Sequence, residues 1–123
     1  GEITKGRSTI SSSKLYDLVE TEINLGDLCD DGSQMRPHIV WFGEPVPMME
    51  KAIDIVQKSD YLIIIGTSLM VYPASGLIDY AGVNVKKFYI DPDAKSNLNR
   101  NDIELISMRA SEGVKSLVKR LME

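Results

Sequence analysis

From residue 38 onward, short apolar runs alternate with segments in which apolar residues recur at helical spacing. Each run is rich in Ile, Val, Leu, Tyr or Phe and is followed by a Gly, Asp or Ser residue. Runs of this length and composition, bounded by turn-forming residues, predict buried strands. The four predicted strands cover residues 38–42, 61–65, 85–90 and 103–106.

Three segments between and after these runs predict helices. The first follows the turn at Pro45 and Pro47, and its apolar positions repeat every three to four residues. The second covers residues 73–81, with Leu77 and Ile78 facing inward. The third begins at Ser111 as the N-cap and carries an apolar stripe. The stripes are formed by Met49, Ala52, Ile53 and Val56 in the first helix, and by Val114, Leu117, Val118 and Leu121 in the third.

Strands that are apolar on both faces and alternate with helices indicate a parallel sheet covered on both sides. We therefore expect an α/β fold that is part of a doubly wound parallel, Rossmann-like sheet. Residues 1–35 are polar and turn-rich, and they predict an irregular N-terminal segment packed on the larger body. The expected domains are residues 1–35 and 36–123. Three or four strands are few for such a sheet, which suggests that the chain is incomplete.

Composition excludes several classes of function. The formal net charge of −4 argues against binding to nucleic acid or to an anionic membrane surface. No apolar run approaches the roughly 20 residues needed to span a bilayer. The lone Cys29 excludes an intrachain disulfide and a cysteine-based metal cage, and it fits a reducing, cytoplasmic compartment. The first residue is Gly1 rather than Met, so we expect a processed product or a piece of a longer protein.

Polar residues follow two of the predicted strands at the edge where ligands bind in open α/β sheets. Gly66 would let a ligand approach the backbone, and the hydroxyls of Thr67 and Ser68 can donate to phosphate or ribose oxygens. Asp91 stands where such folds bind ribose hydroxyls. The alternative is that Gly66 forms a turn and Asp91 caps one. The chain has no G-x-G-x-x-G motif and no Walker A loop.

Other candidate residues favour structural roles. Residues 40–42 fit an ordinary core strand, and His38 lies at a strand entrance, where a structural hydrogen bond is expected rather than a general base. Ser68 has no partner histidine at its end of the sheet, which argues against a catalytic triad. The segment DLCDDG at residues 27–32 resembles the start of a calcium loop, but Cys29 and His38 occupy positions that require oxygen ligands.

Two longer motifs carry a family resemblance. They are MRPHIVWFGE at residues 35–44 and GTSLMVYPA at residues 66–74. In this order, with a helix and a strand between them, they closely resemble the sirtuins, the NAD-dependent protein lysine deacylases. The resemblance implies NAD as the cofactor, an acyl-lysine protein or peptide as the substrate, and acyl transfer to ADP-ribose.

The resemblance also implies roles for individual residues. NAD would be contacted by Gly66, Thr67, Ser68 and Asp91, with Ala110 and Ser111 near the adenine. The extended acyl-lysine peptide would lie between two loops and add to them as a strand. The peptide-binding residues implied in this way are Val40, Phe42, Gly43, Glu44, Met70 and Val71.

The chain departs from the sirtuin pattern at two places. Many sirtuins have four zinc cysteines in a small module, whereas Cys29 is the only cysteine here, and Gly32 and Ser8 fall at or near other such positions. We therefore expect a zinc-less remnant of that module in residues 1–35. The family's catalytic histidine would directly precede Gly1, so no catalytic residue is assigned and the chain alone is expected to be inactive.

Three readings remain open for the chain taken by itself. It is either the carboxy-terminal half of a sirtuin deacylase, a free-standing nucleotide- or peptide-binding module without catalysis, or an assembly piece. In the first and third readings, the open sheet would be covered by a missing amino-terminal half or by a second copy of the chain.

Overall fold

The computed structural model describes residues 1–18 and 22–123. They form two compact units, Gly1–Val46 and Pro47–Glu123. The boundary between the units therefore falls later in the chain than the division at residues 35 and 36 expected from composition. Residues 19–21, which belong to the predicted irregular segment, lie outside the described residues.

The first unit is more regular than its composition suggests. Strand β1 (Glu2–Ser8) lies at the centre of an antiparallel sheet between β2 (Leu15–Asp17) and β3 (Met35–His38). The register of β1 with β3 shifts between Glu2 and Gly6, as at a β-bulge. The polar N-terminal segment is thus a small three-stranded sheet with irregular connections.

Polar contacts hold the turn at residues 29–33 beside this small sheet. Ser8 and Cys29 are buried, and the hydroxyl of Ser8 lies 2.7 Å from the hydroxyl of Ser33. Ser33 in turn donates to the Asp31 carboxylate at 2.6 Å, and its carbonyl accepts the Cys29 amide at 2.8 Å. Directional hydrogen bonds hold this turn where a larger domain would use an apolar core.

The prediction of a buried strand at residues 38–42 was wrong. Only His38 of that run belongs to a strand, and β3 is antiparallel and part of the first unit. Trp41 and Phe42 are 51% and 91% exposed. The reason is local, because the Glu44 carboxylate accepts the Trp41 amide at 3.0 Å and closes a turn over residues 41–44.

The second unit has the predicted parallel sheet. Its strands are β4 (Tyr61–Ile65), β5 (Lys86–Ile90) and β6 (Glu104–Ile106), hydrogen-bonded in that order and all parallel. Helix α1 (Met49–Gln57) precedes β4, and a 3₁₀ helix (Ala74–Tyr80) connects β4 to β5. Helices α2 (Ala94–Asn97) and α3 (Ala110–Met122) precede and follow β6. The predicted α/β class is confirmed.

Side-chain alternation along β5 gives this unit two apolar clusters. Phe88 and Ile90 pack with Leu117 of α3, whereas Tyr89 packs in a second cluster with Ile78 of the 3₁₀ helix and with Ala94 of α2. Tyr89, Ile90 and Ala94 are completely buried. The central strand is therefore covered on both faces, as expected for a doubly wound sheet.

Three local details differ from the prediction. The segment expected as a helix over residues 73–81 is a 3₁₀ helix, in which Ile78 is buried and Leu77 half-buried. Ser111 is not the N-cap of α3, because the carbonyl of Arg109 accepts the amides of Glu112 and Gly113 and so starts the helix earlier. The short α2 was not predicted. No helix in the described part of the chain is long and apolar enough to cross a membrane.

Gly113 is where α3 comes closest to β5. A Cβ atom on this residue would lie 2.5 Å from Cγ2 of Ile90, which is well inside van der Waals contact. In an exposed helix, Gly→Ala stabilises by about 0.5–1 kcal/mol. Here we expect Gly113→Ala to destabilise by about 1–3 kcal/mol, because overpacking outweighs helix propensity.

Urea unfolding of Gly113→Ala, followed by circular dichroism at 222 nm, measures this change. Ser116→Ala, at an exposed position of the same helix, is the control and is expected to change stability by less than about 0.5 kcal/mol. A Gly113→Ala protein as stable as the parent would show that α3 can move away from β5 at little cost.

Candidate functional site

The carboxyl ends of the three parallel strands lie at one edge of the sheet. Their last residues, Ile65, Ile90 and Ile106, are register partners across the sheet. The residues that follow these strands therefore lie along the same edge. This is where open α/β sheets bind their ligands.

A loop with unusual backbone geometry follows β4. Gly66 has a φ of 61° and Leu69 a φ of 56°, so both adopt the left-handed region that favours glycine. The Gly66 amide donates to the carbonyl of Ile90 at 2.9 Å, and the Leu69 amide donates to Oγ1 of Thr67 at 3.2 Å. A left-handed leucine costs about 1–3 kcal/mol, and such strain concentrates at functional sites.

Open space surrounds the start of this loop. Nothing lies within 4 Å of the position that a Cβ atom on Gly66 would occupy. Thr67 and Ser68 follow with exposed side chains. The loop thus presents backbone and two hydroxyl groups to the carboxyl edge, where they can contact phosphate or ribose oxygens.

Asp91 follows β5 and is half-buried. Its amide donates to the carbonyl of Ile106 at 3.2 Å, which ties it to the end of β6. Its Oδ1 atom accepts the amide of Asp93 at 2.9 Å. Asp91 therefore caps a turn, as the alternative interpretation predicts, and its carboxylate also lies at the carboxyl edge of the sheet.

Ala110 and Ser111 form the first turn of α3, which begins shortly after β6 ends. Both are exposed. A helix N-terminus offers amide donors and a partial positive charge to a polar or anionic group. The structure thus brings the predicted NAD-contacting residues of the second unit to one sheet edge.

Met70 and Val71 continue the loop after Leu69 and are 76% and 52% exposed. Tyr72, the next residue, is 79% exposed. Three neighbouring apolar side chains at the surface form an exposed patch of the kind that marks interaction sites. Their exposure is compatible with the peptide-binding role that the resemblance implies.

The remaining predicted peptide-binding residues lie in the first unit, on a turn organised by Glu44. The Glu44 carboxylate pairs with Arg36 through both carboxylate oxygens and with Arg7 at 3.4 Å, besides holding the Trp41 amide. The Arg36 guanidinium also lies over the Trp41 ring, 4.0 Å from its centroid. Hydrogen bonds from Arg36 and Trp41 lower the pKa of Glu44 to about 2.

This network determines which parts of the turn are exposed. Phe42 projects at the tip, Val40 is 39% exposed, and Gly43 has a φ of 86°. The side chain of Glu44 is 29% exposed and is engaged by two arginines. Glu44 therefore holds the turn in shape, a role that the sequence did not reveal.

The remaining candidates are His38, Cys29 and a possible metal site. Nδ1 of His38 is buried and has no hydrogen-bond partner among the described residues, so the expected structural bond is not seen there. Burial and the nearby Asp31 and Asp30 raise the pKa of the Cys29 thiol, which disfavours the thiolate form. Residues 1–18 and 22–123 contain no cluster of three metal-ligating His, Cys, Asp or Glu side chains.

Two residues that the sequence did not single out contact the candidate site. Tyr89 of β5 donates its hydroxyl proton to the carbonyl of Thr67, and Asn97 of α2 contacts both Tyr89 and Asp91. A tyrosine within an apolar run is indistinguishable from core by pattern alone. The signal in the sequence was the hydroxyl of Tyr89, because a tyrosine predicted to be buried needs a hydrogen-bond partner for this group.

Comparison with known proteins identifies the family. Residues 3–73, more than half of the chain, match the Sir2 family. The chain belongs to the Sir2 family. The "NAD-dependent protein deacylase" of Helicobacter pylori is 42% identical over 123 residues, covering 100% of this chain and 53% of that relative. The protein of the same name from Bacteroides thetaiotaomicron is 45% identical over 127 residues, covering 99% and 54%.

Solved Sir2 structures show the same fold. A crystal structure described as a Sir2 homolog–NAD complex superposes with a TM-score of 0.77 at 28% identity, covering 99% of this chain and 49% of that one. A Sir2 homologue mutant–ADP ribose complex gives a TM-score of 0.78 at 26% identity, covering 99% and 50%. The chain thus spans about half the length of the Sir2 proteins it matches.

The Glu44 network makes the first unit of this Sir2 chain sensitive to acid. Because the folded-state pKa of Glu44 lies below its ordinary value of 4.5, the stabilisation is fully present above pH 4.5. It is lost as the pH falls toward 2. We therefore expect Glu44→Gln to lower the melting temperature at pH 7, and the difference from the parent to shrink between pH 4.5 and pH 2.

Trp41 is the only tryptophan and lies on Arg36, so its fluorescence reports on this turn. Thermal melts followed at Trp41 across pH 2–7 measure the effect. Glu22→Gln, at an exposed residue of the same unit, is the control. Parallel pH profiles for Glu44→Gln and the parent would contradict the assigned role of Glu44.

Proposed function

We propose that this chain contributes part of the NAD site and part of the acyl-lysine peptide cleft of a sirtuin-type protein lysine deacylase. It would correspond to the carboxy-terminal half of such an enzyme. The observation that carries the proposal is the carboxyl edge of the parallel sheet. There an open left-handed Gly66, two hydroxyls and the Asp91 carboxylate follow adjacent strands. The name shared by the Helicobacter and Bacteroides relatives supports the deacylase assignment.

The residues at this edge fit one part of NAD. Gly66, Thr67 and Ser68 would hold the phosphates and a ribose, because backbone and hydroxyl groups there are accessible. Asp91 would bind the hydroxyls of the adenine-side ribose. Ala110 and Ser111, at the start of α3, would lie near the adenine. The complexes of Sir2 homologues with NAD and with ADP-ribose support this part of the proposal.

Exposed apolar and backbone groups would receive the peptide substrate. Phe42 and Gly43 lie on the turn closed by Glu44, and Met70 and Val71 lie on the loop after β4. An extended peptide would pair through its main chain with the exposed backbone of a loop of either kind, which tolerates varied side chains around the acyl-lysine. Val40 would line the path of the acyl group.

In the complete reaction, NAD would supply the ADP-ribose that accepts the acyl group. A sirtuin needs a histidine as general base on a ribose hydroxyl. The only histidine, His38, belongs to β3 and has its Nδ1 buried. We therefore propose that the chain by itself binds nucleotide weakly and does not turn over substrate.

The small N-terminal unit would fold without zinc. The turn at residues 29–33 is closed by Ser8, Ser33 and Asp31 rather than by a set of thiolates. A tetrahedral zinc site needs four ligands, and Cys29 is the only cysteine. A reducing, cytoplasmic setting fits its buried free thiol.

The flank of β4 offers a surface to a partner. Tyr61, Ile63 and Ile65 share a face of the sheet and are 46%, 40% and 44% exposed. β4 pairs only with β5 among the described strands, and a cavity of about 340 Å³ borders residues 62–65. An amino-terminal half of the enzyme, or a second copy of the chain, would cover this apolar surface.

A free-standing nucleotide- or peptide-binding module is the second candidate function. It is favoured by the ordered carboxyl edge, whose loop, turn and helix start form within residues 47–123 alone. The two candidates differ in their need for a partner. Catalysis requires one, whereas binding does not.

Titration with ADP-ribose, followed by NMR, tests the nucleotide site directly. We expect a Kd on the order of 1 mM for the unaltered chain, and about tenfold weaker binding for Gly66→Ala, because its methyl group would fill the approach. Gly26→Ala is the matched control, since Gly26 is also left-handed and unobstructed. Each substitution costs about 1–2 kcal/mol of stability, so only the loss of affinity should distinguish them.

Turnover is measured in the same samples. With NAD and an acyl-lysine peptide, we expect no release of nicotinamide and no deacylated peptide. Detectable turnover by the chain alone would refute its proposed inactivity. An unaltered chain that does not bind ADP-ribose at millimolar concentrations would refute its part in the NAD site.

Metal removal tests the zinc-free fold. We expect EDTA to leave the melting temperature unchanged, and the metal content of the purified chain to be far below one zinc per molecule. Ser8→Ala should lower the melting temperature, because it removes the acceptor of the Ile10 and Ser11 amides and the partner of Ser33. Stoichiometric zinc, or a large loss of stability in EDTA, would contradict this prediction.

A further inference from the structure

A chain of hydrogen bonds runs beneath the candidate nucleotide site. The hydroxyl of Tyr89 donates to the carbonyl oxygen of Thr67 at 2.5 Å. The side-chain amide of Asn97 donates to the Tyr89 hydroxyl oxygen at 3.0 Å and reaches Oδ1 of Asp91 at 3.4 Å. The side chains of Tyr89 and Asn97 therefore connect the carbonyl of Thr67, which follows β4, to the carboxylate of Asp91, which follows β5.

Tyr89 is well suited to fix the position of the loop. It lies on the central strand, its side chain is completely buried, and its ring packs against Ile78 and Ala94. Its hydroxyl is used as a donor to Thr67 and as an acceptor from Asn97. A buried hydroxyl that satisfies both roles has little freedom to move, because losing either bond carries a desolvation penalty.

Asn97 couples this anchor to Asp91. Oδ1 of Asp91 accepts from Asn97 and from the Asp93 amide, and no donor from residues 1–18 or 22–123 reaches Oδ2. The carboxylate is thus oriented through one oxygen while the other remains available to a ribose hydroxyl. The same Asn97 amide group determines where the Tyr89 hydroxyl points.

We propose that Tyr89 and Asn97 are positioning residues of the nucleotide site. They hold the Thr67 carbonyl and the Asp91 carboxylate in the arrangement that binds the phosphate–ribose part of the nucleotide. This inference rests on the proposed nucleotide site at the carboxyl edge. Preorganisation of this kind raises affinity because the ordering of the loop is completed before the ligand binds.

The experiment compares ADP-ribose binding to four variants of the full chain. Tyr89→Phe keeps the buried ring and removes the hydroxyl, and Asn97→Ala removes the amide. Tyr61→Phe removes a hydroxyl from the start of β4, and Asn99→Ala removes an amide from an exposed position just beyond α2. These two are the matched controls.

NMR titration with ADP-ribose gives the affinity, and hydrogen exchange of the amides at residues 66–69 reports on the loop without ligand. We expect Kd to rise about tenfold in Tyr89→Phe and in Asn97→Ala, and by less than about twofold in the controls. The exchange of the loop amides should become faster in Tyr89→Phe. The side-chain amide resonances of Asn97 should shift when ADP-ribose is added to the unaltered chain, which a purely structural asparagine would not show.

The possible results distinguish the positioning role of Tyr89 and Asn97 from the nucleotide site itself. If Tyr89→Phe and Asn97→Ala bind ADP-ribose as the unaltered chain does, while Gly66→Ala weakens binding, the positioning role is overturned and the nucleotide site stands. If the unaltered chain binds no ADP-ribose, the nucleotide site is overturned and the positioning role with it. If Tyr89→Phe does not fold, Asn97→Ala, which alters a half-buried residue, carries the comparison.

Discussion

The architecture of residues 47–123 depends on the burial of one strand, β5. It is hydrogen-bonded on both sides, and its successive side chains enter two different apolar clusters. Burying each large side chain contributes about 1.5–3 kcal/mol, and neither cluster can form unless β5 lies in the middle. The position of the strand therefore decides where Asp91 leaves the sheet and where the hydroxyl of Tyr89 meets the loop after β4. The core and the candidate site share the same strand.

The first unit is held by a different kind of interaction. Cys29 is its only buried apolar side chain among the described residues, and its turns are closed by Ser8, Ser33 and the Glu44 network. Hydrogen bonds and ion pairs are directional, so they specify a turn in a unit too small to bury much apolar area. The two units should consequently respond to different perturbations. The first depends on charge and protonation, whereas the second depends on side-chain volume.

Hydrophobic pattern located elements of the second unit, but it overstated the burial of β4, whose residues are alternately exposed and half-buried. β4, β5 and α1 were found because continuous apolar runs and helical spacing leave few alternatives in a covered parallel sheet. The hydrophobic pattern gave a wrong prediction at residues 38–42. The apolar run does not reveal that the Glu44 carboxylate will accept the Trp41 amide and close an exposed turn. Position at the strand ends and residue chemistry pointed to Gly66 and Asp91 as candidates, and the resemblance then implied roles for the same two residues. Neither could point to Tyr89, because its proposed role depends on a contact between β5 and a loop distant in sequence.

The loop after β4 combines a strained backbone with residues of the proposed nucleotide site. Leu69 has a φ of 56°, and contacts within the unit must offset the cost of that conformation. Packing of Leu69 against the Tyr89 cluster and the bond from Tyr89 to Thr67 supply such contacts. A loop that is ordered before binding loses less entropy when a nucleotide arrives. The proposed nucleotide-binding groups all lie within residues 47–123, whereas the one histidine of the sequence, His38, lies in the first unit. The proposed nucleotide binding is therefore testable separately from the proposed turnover.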